Sequence, residues 1–185
     1  MNKTKTIDRT IYDRKGYKPG PFWKRLLWYY INHIFFMSAW FPFYKFKARL
    51  LRIFGAKVGV SLIIKPRVNI KYPWFLKIGD YVSIGEDVWI DNLGLVTIGD
   101  CVTISQGAML LTGNHNYKQE SFDLMISEIS LESGAWVGAK AMVGPGVKLG
   151  RNAVLGMGSI ALDDLLADSF YLGHPAVKIR DRIIA

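Results

Sequence analysis

The chain has 185 residues, half of them hydrophobic and 21% charged, with a formal net charge of +9. That length suits one domain with a sizeable core, and the apolar fraction excludes general disorder. The single cysteine, Cys101, excludes an internal disulfide and a cysteine-rich zinc site, and is expected as a small buried apolar residue.

The charge is unevenly spread. Residues 1–55 carry 12 Lys and Arg against 2 Asp, whereas residues 56–185 carry 12 against 13 acidic residues. The basicity therefore belongs to the N-terminal segment, which excludes a nucleic-acid surface running the length of the chain. An anionic partner for this segment, a membrane surface or an acidic substrate, fits the charge. The first twenty residues are polar and charged, so no cleavable signal peptide is read there and the expected setting is cytoplasmic.

Residues 22–54, "FWKRLLWYYINHIFFMSAWFPFYKFKARLLRIF", predict two helices. Pro42 ends or kinks the first, and an amphipathic second follows through "YKFKARLLRIFG", stopped by Gly55. The apolar run from Leu26 to Phe41 contains Asn32 and His33 and is short for a membrane span. Two readings stay open: the segment packs on the rest of the protein or a neighbouring subunit, or it lies in peripheral contact with the inner face of a membrane. His33 is read as a packed or interfacial histidine rather than a ligand.

From residue 56 a period of six takes over. A looser set, "VGVSLI" and "IKPRVN", precedes "IGDYVS", "IGEDVW" and "IDNLGL". After two skipped residues come "IGDCVT", "ISQGAM" and "LLTGNH"; the rhythm resumes later with "LESGAW", "VGAKAM", "VGPGVK", "LGRNAV", "LGMGSI" and "ALDDLL". Counted over these twelve clean units, the first position is Ile, Leu or Val eleven times and the second is Gly seven times. Six fits neither a helix nor plain strand alternation. It fits a short strand plus a sharp corner, three units closing a triangular coil, with coils stacked because none buries its own face alone. First-position aliphatics should point inward, fifth-position small residues should sit near the corners, and second-position glycines should supply the corner dihedrals. Residues 56–166 then form about five coils.

One passage breaks the rhythm, a loop over residues 113–129 that opens at His115. Long loops on rigid scaffolds commonly carry function, and neutral imidazole suits proton abstraction near pH 7. On spacing alone, an exposed loop histidine is the other reading. Register places Asn92 beneath Thr112, near the base of His115. Asn92 either orients a substrate or stabilises developing charge, or it closes a corner as an Asx turn. Glu86 and Asp87 read as solvated corner residues. Residues 167–185 leave the hexads and form a C-terminal tail.

The hexads, with "RIFGAKVG", "YPW", "IGDY", "LLTGNH" and the closing "GHPAVKIR", resemble the hexapeptide-repeat acetyltransferases, and within them the O-acetyltransferases of colanic acid and other exopolysaccharides. The resemblance implies a mainly β chain wound as a left-handed parallel β-helix; elementary sterics favour right-handed crossovers, so the handedness is the family's. It implies acetyl-CoA as donor, a sugar hydroxyl or lipid-linked oligosaccharide as acceptor, direct transfer with His115 as general base, no metal, and a homotrimer whose loops meet neighbouring subunits. Trp136, Ala139, Met157 and Leu162 match positions along the family's coenzyme groove, although Trp136 reads equally well as a surface aromatic. Leu162 and Asp163 stand where the family often has Thr-Lys, so Lys178 and Arg180 are the substitutes for a phosphate contact. The asparagine of the galactoside and maltose enzymes falls on Gly85. The alternatives are an N-acetyltransferase acting on an amino sugar or other amine, and a non-catalytic β-helix scaffold.

Overall fold

The structure, a computed structural model, describes residues 5–14 and 16–184. Its body is a left-handed parallel β-helix with three flat faces. The first face stacks Lys57–Val58, Leu76–Ile78, Val96–Ile98, Ile129–Leu131 and Lys148–Leu149. The second stacks Ile63–Ile64, Ser83–Ile84, Thr103–Ile104, Trp136–Val137, Val154–Leu155 and Ser169–Gly173. The third stacks Asn69–Ile70, Trp89–Asp91, Met109–Leu111, Met142–Val143 and Ile160–Ala161. Five coils are complete, and a sixth begins where Leu165 bridges Leu149.

The expected ladders run up the inside. All twelve first-position residues, from Ile78 to Ala161, are buried. On the third face Ile70 lies under Ile90, Ile90 under Leu110, and Leu110 under Val143. Each buried Ile or Leu contributes about 1.5–3 kcal/mol of apolar transfer.

The glycines act differently from expectation. The left-handed dihedrals fall on the fourth hexad position, at Tyr81, Asp87, Cys101, Lys140 and Asn152 among others, not on the second. Second-position glycines are needed for approach between coils: a Cβ on Gly138 would stand 2.6 Å from the Met157 nitrogen, and one on Gly85 2.6 Å from that of Gln106. Cys101 is likewise corrected. It sits exposed on a corner with φ of 56°, because the fourth position points outward.

α1 (Phe22–Ile31) runs on into a π-helical turn, Asn32–Phe36, and α2 (Tyr44–Ile53) follows. The buried Trp28 donates Nε1–H to the Ile70 carbonyl at 2.8 Å, and Asn32 bonds Asn69 at 2.8 Å, so α1 is tied to the first coil. α2 ends at Gly55, whose φ of 100° lets the chain turn back. Its buried Lys47 donates to the Lys65 carbonyl at 3.1 Å, closing the open end of the prism. Burial pushes the Lys47 ammonium down to about 8. At the other end the residues read as a tail form a hairpin: Ala176–Asp181 pairs antiparallel with Ser169–Gly173 and extends the second face.

Candidate active site

The inserted loop leaves the third coil at the corner between the third and first faces. Thr112, fully buried, anchors its root: the hydroxyl donates to the Asp91 carbonyl and accepts from Gly94 N–H, both at 3.0 Å. Gly113–His115 then pairs antiparallel with Leu124–Ile126, which sets His115 opposite Leu124. His115 Nδ1 lies 3.0 Å from the Phe122 carbonyl oxygen. A carbonyl only accepts, so Nδ1 carries a proton, and in the neutral imidazole the lone pair is on Nε2. The Phe122 ring stacks on the imidazole, centroids 4.4 Å apart and planes within 7°.

A second element fixes the loop, and nothing in the hexad pattern announces it. The residues before α1, with a short 3-10 turn at Arg9–Ile11, lie along it: Asp8 N–H donates to the Glu120 carbonyl at 2.8 Å, and Asp13 N–H to Asp123 Oδ1 at 3.1 Å. The Tyr12 ring is 6.1 Å from the imidazole. Tyr17 donates its hydroxyl to the Leu93 carbonyl at 3.0 Å. Burial, with the nearby Tyr72 and Asp91, pushes that phenol well above its ordinary range, so Tyr17 stays a neutral donor.

Beside the loop root, between α1 and the third face, lies a cleft of about 500 Å³. Phe22, Tyr29 and Trp89 wall it, and Arg25, Lys71 and Asp91 supply charge. Lys71 Nζ is 2.8 Å from Asp91 Oδ1, while Arg25 Nε is buried and makes no hydrogen bond. The main-chain oxygen of the same Asp91 holds Thr112, so cleft and loop share a wall. The sequence offered one signal for this cleft, the polar Lys71 and Asp91 facing outward one coil apart on the third face.

Asn92, read as a helper or as a corner residue, takes the corner position. It is fully buried; its Oδ1 accepts from Tyr72 N–H at 3.0 Å, and its Nδ2 donates to the carbonyls of Tyr72 at 2.6 Å and Phe75 at 3.2 Å. It closes a corner one coil below and presents no free atom to a substrate. Glu86 and Asp87 are corner residues clamped by Arg67, at 2.9 and 2.7 Å. The pairing holds Asp87 below the usual carboxylate range.

Of the residues expected at the coenzyme, Trp136, Ala139, Met157 and Leu162 lie on the coils after the loop and Lys178 and Arg180 on the terminal hairpin, in separate places. Trp136 and Arg180 meet in a cleft of about 320 Å³ with Phe170, over whose ring the Arg180 guanidinium sits at 5.1 Å. An aromatic wall beside a guanidinium suits a nucleotide. Trp136 also donates Nε1–H to Ser105 Oγ at 2.9 Å. Ala139 and Met157 stack at the next corner in successive coils, where Gly158 N–H donates to the Ala139 carbonyl. Leu162 lies exposed on the corner from which the loop springs two coils below. Lys178 is held by Asp181 at 2.7 Å.

No protein-family model matches the chain. WcaF of Escherichia coli (strain K12), named as a colanic acid biosynthesis acetyltransferase, is 39% identical over 171 residues, covering 91% of this chain and 93% of WcaF. The crystal structure of a maltose O-acetyltransferase from Clostridium difficile superposes with a TM-score of 0.79 at 19% identity, covering 87% of each chain. That of the hexapeptide-repeat acetyltransferase VCA0836 from Vibrio cholerae superposes at 0.77 with 22% identity, covering 87% of this chain and 92% of that one. VCA0836 has also been solved in complex with acetyl coenzyme A.

Proposed function

Because the chain belongs to the hexapeptide-repeat acetyltransferases, we propose that it is an acetyl-CoA-dependent O-acetyltransferase acting on a sugar hydroxyl in surface-polysaccharide biosynthesis. The observation that carries the reading is the 3.0 Å contact between His115 Nδ1 and the Phe122 carbonyl oxygen. With Nδ1–H committed to the Phe122 carbonyl, Nε2 is the available base. A sugar hydroxyl has a pKa far above 7 and becomes a competent nucleophile only as its proton leaves; Nε2 takes that proton, and the Phe122 carbonyl stabilises the imidazolium that results. Acetyl-CoA supplies an activated acetyl thioester when bound. Trp136, Phe170 and Arg180 fit its nucleotide end, and Ala139 and Met157 offer a corner for the pantetheine arm. The cleft of Arg25, Lys71, Asp91 and Trp89 receives the acceptor, its rings facing the apolar faces of a sugar and its charges the hydroxyls.

The assembly is a homotrimer. Met109, Met142 and Ile160 form an outward apolar ladder on the third face, beside the loop corner, and three such faces would bury one another. The enzyme works on the cytoplasmic side, where the lipid-linked acceptor is presented at the membrane. The test is acetyl-CoA turnover against nucleotide sugars and lipid-linked oligosaccharides, with products located by NMR and mass in solution read by light scattering. No turnover with any sugar acceptor, or a stable active monomer, would overturn the respective part of the reading.

A further inference from the structure

The end of the molecule built from α1, the turn over residues 37–43 and α2 has an inverted surface. On α1 the buried side belongs to Trp28, while Trp23, Leu26, Leu27 and Tyr30 recur about one turn apart on the outside. A helix on a soluble protein normally turns polar residues outward. Trp40 and Phe43 continue the patch; Trp23 and Trp40 are each 66% exposed and Phe43 63%. An exposed apolar surface of this extent marks a docking site.

Charge says what docks. Between Asp13 and Asp80 the sequence has no Asp or Glu but 14 Lys and Arg. That run covers α1, α2 and the whole first coil. Arg67 and Lys71 are paired with acids of the second coil, whereas Lys18, Lys45, Arg49, Lys57 and Lys65 are exposed. A second copy laid face to face would bring the same exposed cations, whereas an anionic bilayer complements them. Trp and Tyr rimmed by Lys and Arg are also the side chains that settle at a headgroup boundary. No helix among the described residues is long and apolar enough to cross a membrane, so the helices would lie in the plane of the interface.

We infer that α1, residues 37–43 and α2 form a docking surface for an anionic phospholipid bilayer, with the aromatic patch entering the headgroup region and the basic rim, first coil included, on the lipid phosphates. α1 also walls the acceptor cleft, but Trp23, Trp40, Lys45 and Arg49 do not line it and the readout is vesicle binding, so the test leaves the acetyl-transfer reading untouched. The full chain is sedimented with vesicles of about three parts phosphatidylcholine to one part phosphatidylglycerol, and with phosphatidylcholine alone, at low and about 0.5 M salt. Binding is expected to the anionic vesicles, at least tenfold weaker at high salt. Trp23→Ser with Trp40→Ser, and separately Lys45→Gln with Arg49→Gln, should each weaken it about tenfold while mass by light scattering stays constant. Indifference of the intact protein to anionic vesicles at low salt, or undiminished binding by the aromatic pair, overturns the inference. A fall in mass of the aromatic pair also overturns it, by assigning the face to a second copy.

Discussion

His115 and Phe122 hold each other by two contacts at once: the ring nitrogen Nδ1 bonds the Phe122 carbonyl at 3.0 Å, and the two rings lie parallel 4.4 Å apart. The imidazole is thereby fixed in tautomer and in plane before any substrate arrives. His115→Ala should lower turnover by about 10²- to 10⁴-fold, the ordinary worth of a general base. Acetyl-CoA affinity, read by calorimetry, should change less than about threefold, because the residues proposed for the coenzyme, Trp136, Ala139 and Met157, sit on later coils. Near-wild-type turnover by a folded His115→Ala protein would remove His115 from the chemistry.

The strap before α1 should matter for rate rather than for the body of the fold. Deleting residues 1–14 removes the bonds from Asp8 to Glu120 and from Asp13 to Asp123. Misplacing a catalytic group by about 1 Å costs up to roughly 10²-fold, so turnover should fall by tenfold or more. Cleavage within residues 116–122 by a protease should accelerate, while the melting temperature moves by only about 2 °C or less. An unchanged turnover would make the strap a passenger.

Asn92→Ala should separate structure from catalysis. Three buried hydrogen bonds disappear, leaving groups of Tyr72 and Phe75 unpaired, at roughly 3 kcal/mol. Chemical denaturation should show that loss, and acetyl transfer per folded molecule should stay within about twofold of wild type. A large fall in kcat with unchanged stability would return Asn92 to the catalytic machinery.

Two glycines one coil apart should answer differently to the same substitution. Gly138→Ala drives a methyl to 2.6 Å from the Met157 nitrogen and 2.7 Å from the Leu155 oxygen, both backbone, and should cost about 3 kcal/mol. Gly158→Ala has open space around it and strains only its φ of 66°, worth about 1 kcal/mol. Equal losses in urea melts would contradict the packing role assigned to the second hexad position.

Lys47 should give stability a pH dependence of known sign. Its folded pKa, about 8, lies below the ordinary value of 10.5. Between those values the unfolded chain holds a proton that the native protein has released, so stability rises with pH through that window. Below about 8 the burial penalty is fully present. Lys47→Met removes the ammonium, so the difference in unfolding free energy between wild type and variant should shift toward wild type as pH goes from 7.5 to about 9.5. A constant difference would show that Lys47 titrates normally.

Periodicity carried the prism. Ile78, Ile84 and Ile90 recur every six residues, and a coil needs only that local spacing to turn its aliphatics inward, so the faces, the ladders and the corner loop at His115 were legible from the chain alone. The family motif around "LLTGNH" singled out the histidine in the same way. Other features depend on which residues stacking brings together. Asn92 reads as a helper or a corner residue until the coil below supplies Tyr72 and Phe75 to occupy it. The second-position glycines look like turn residues until the neighbouring coil arrives within 3 Å. The contact of Asp13 with Asp123 spans 110 residues, and that of Tyr17 with Leu93 spans 76. A six-residue period encodes what a segment does with its own neighbours. It carries no term for partners a hundred residues away, which meet only once the stacked coils have fixed the distance between them.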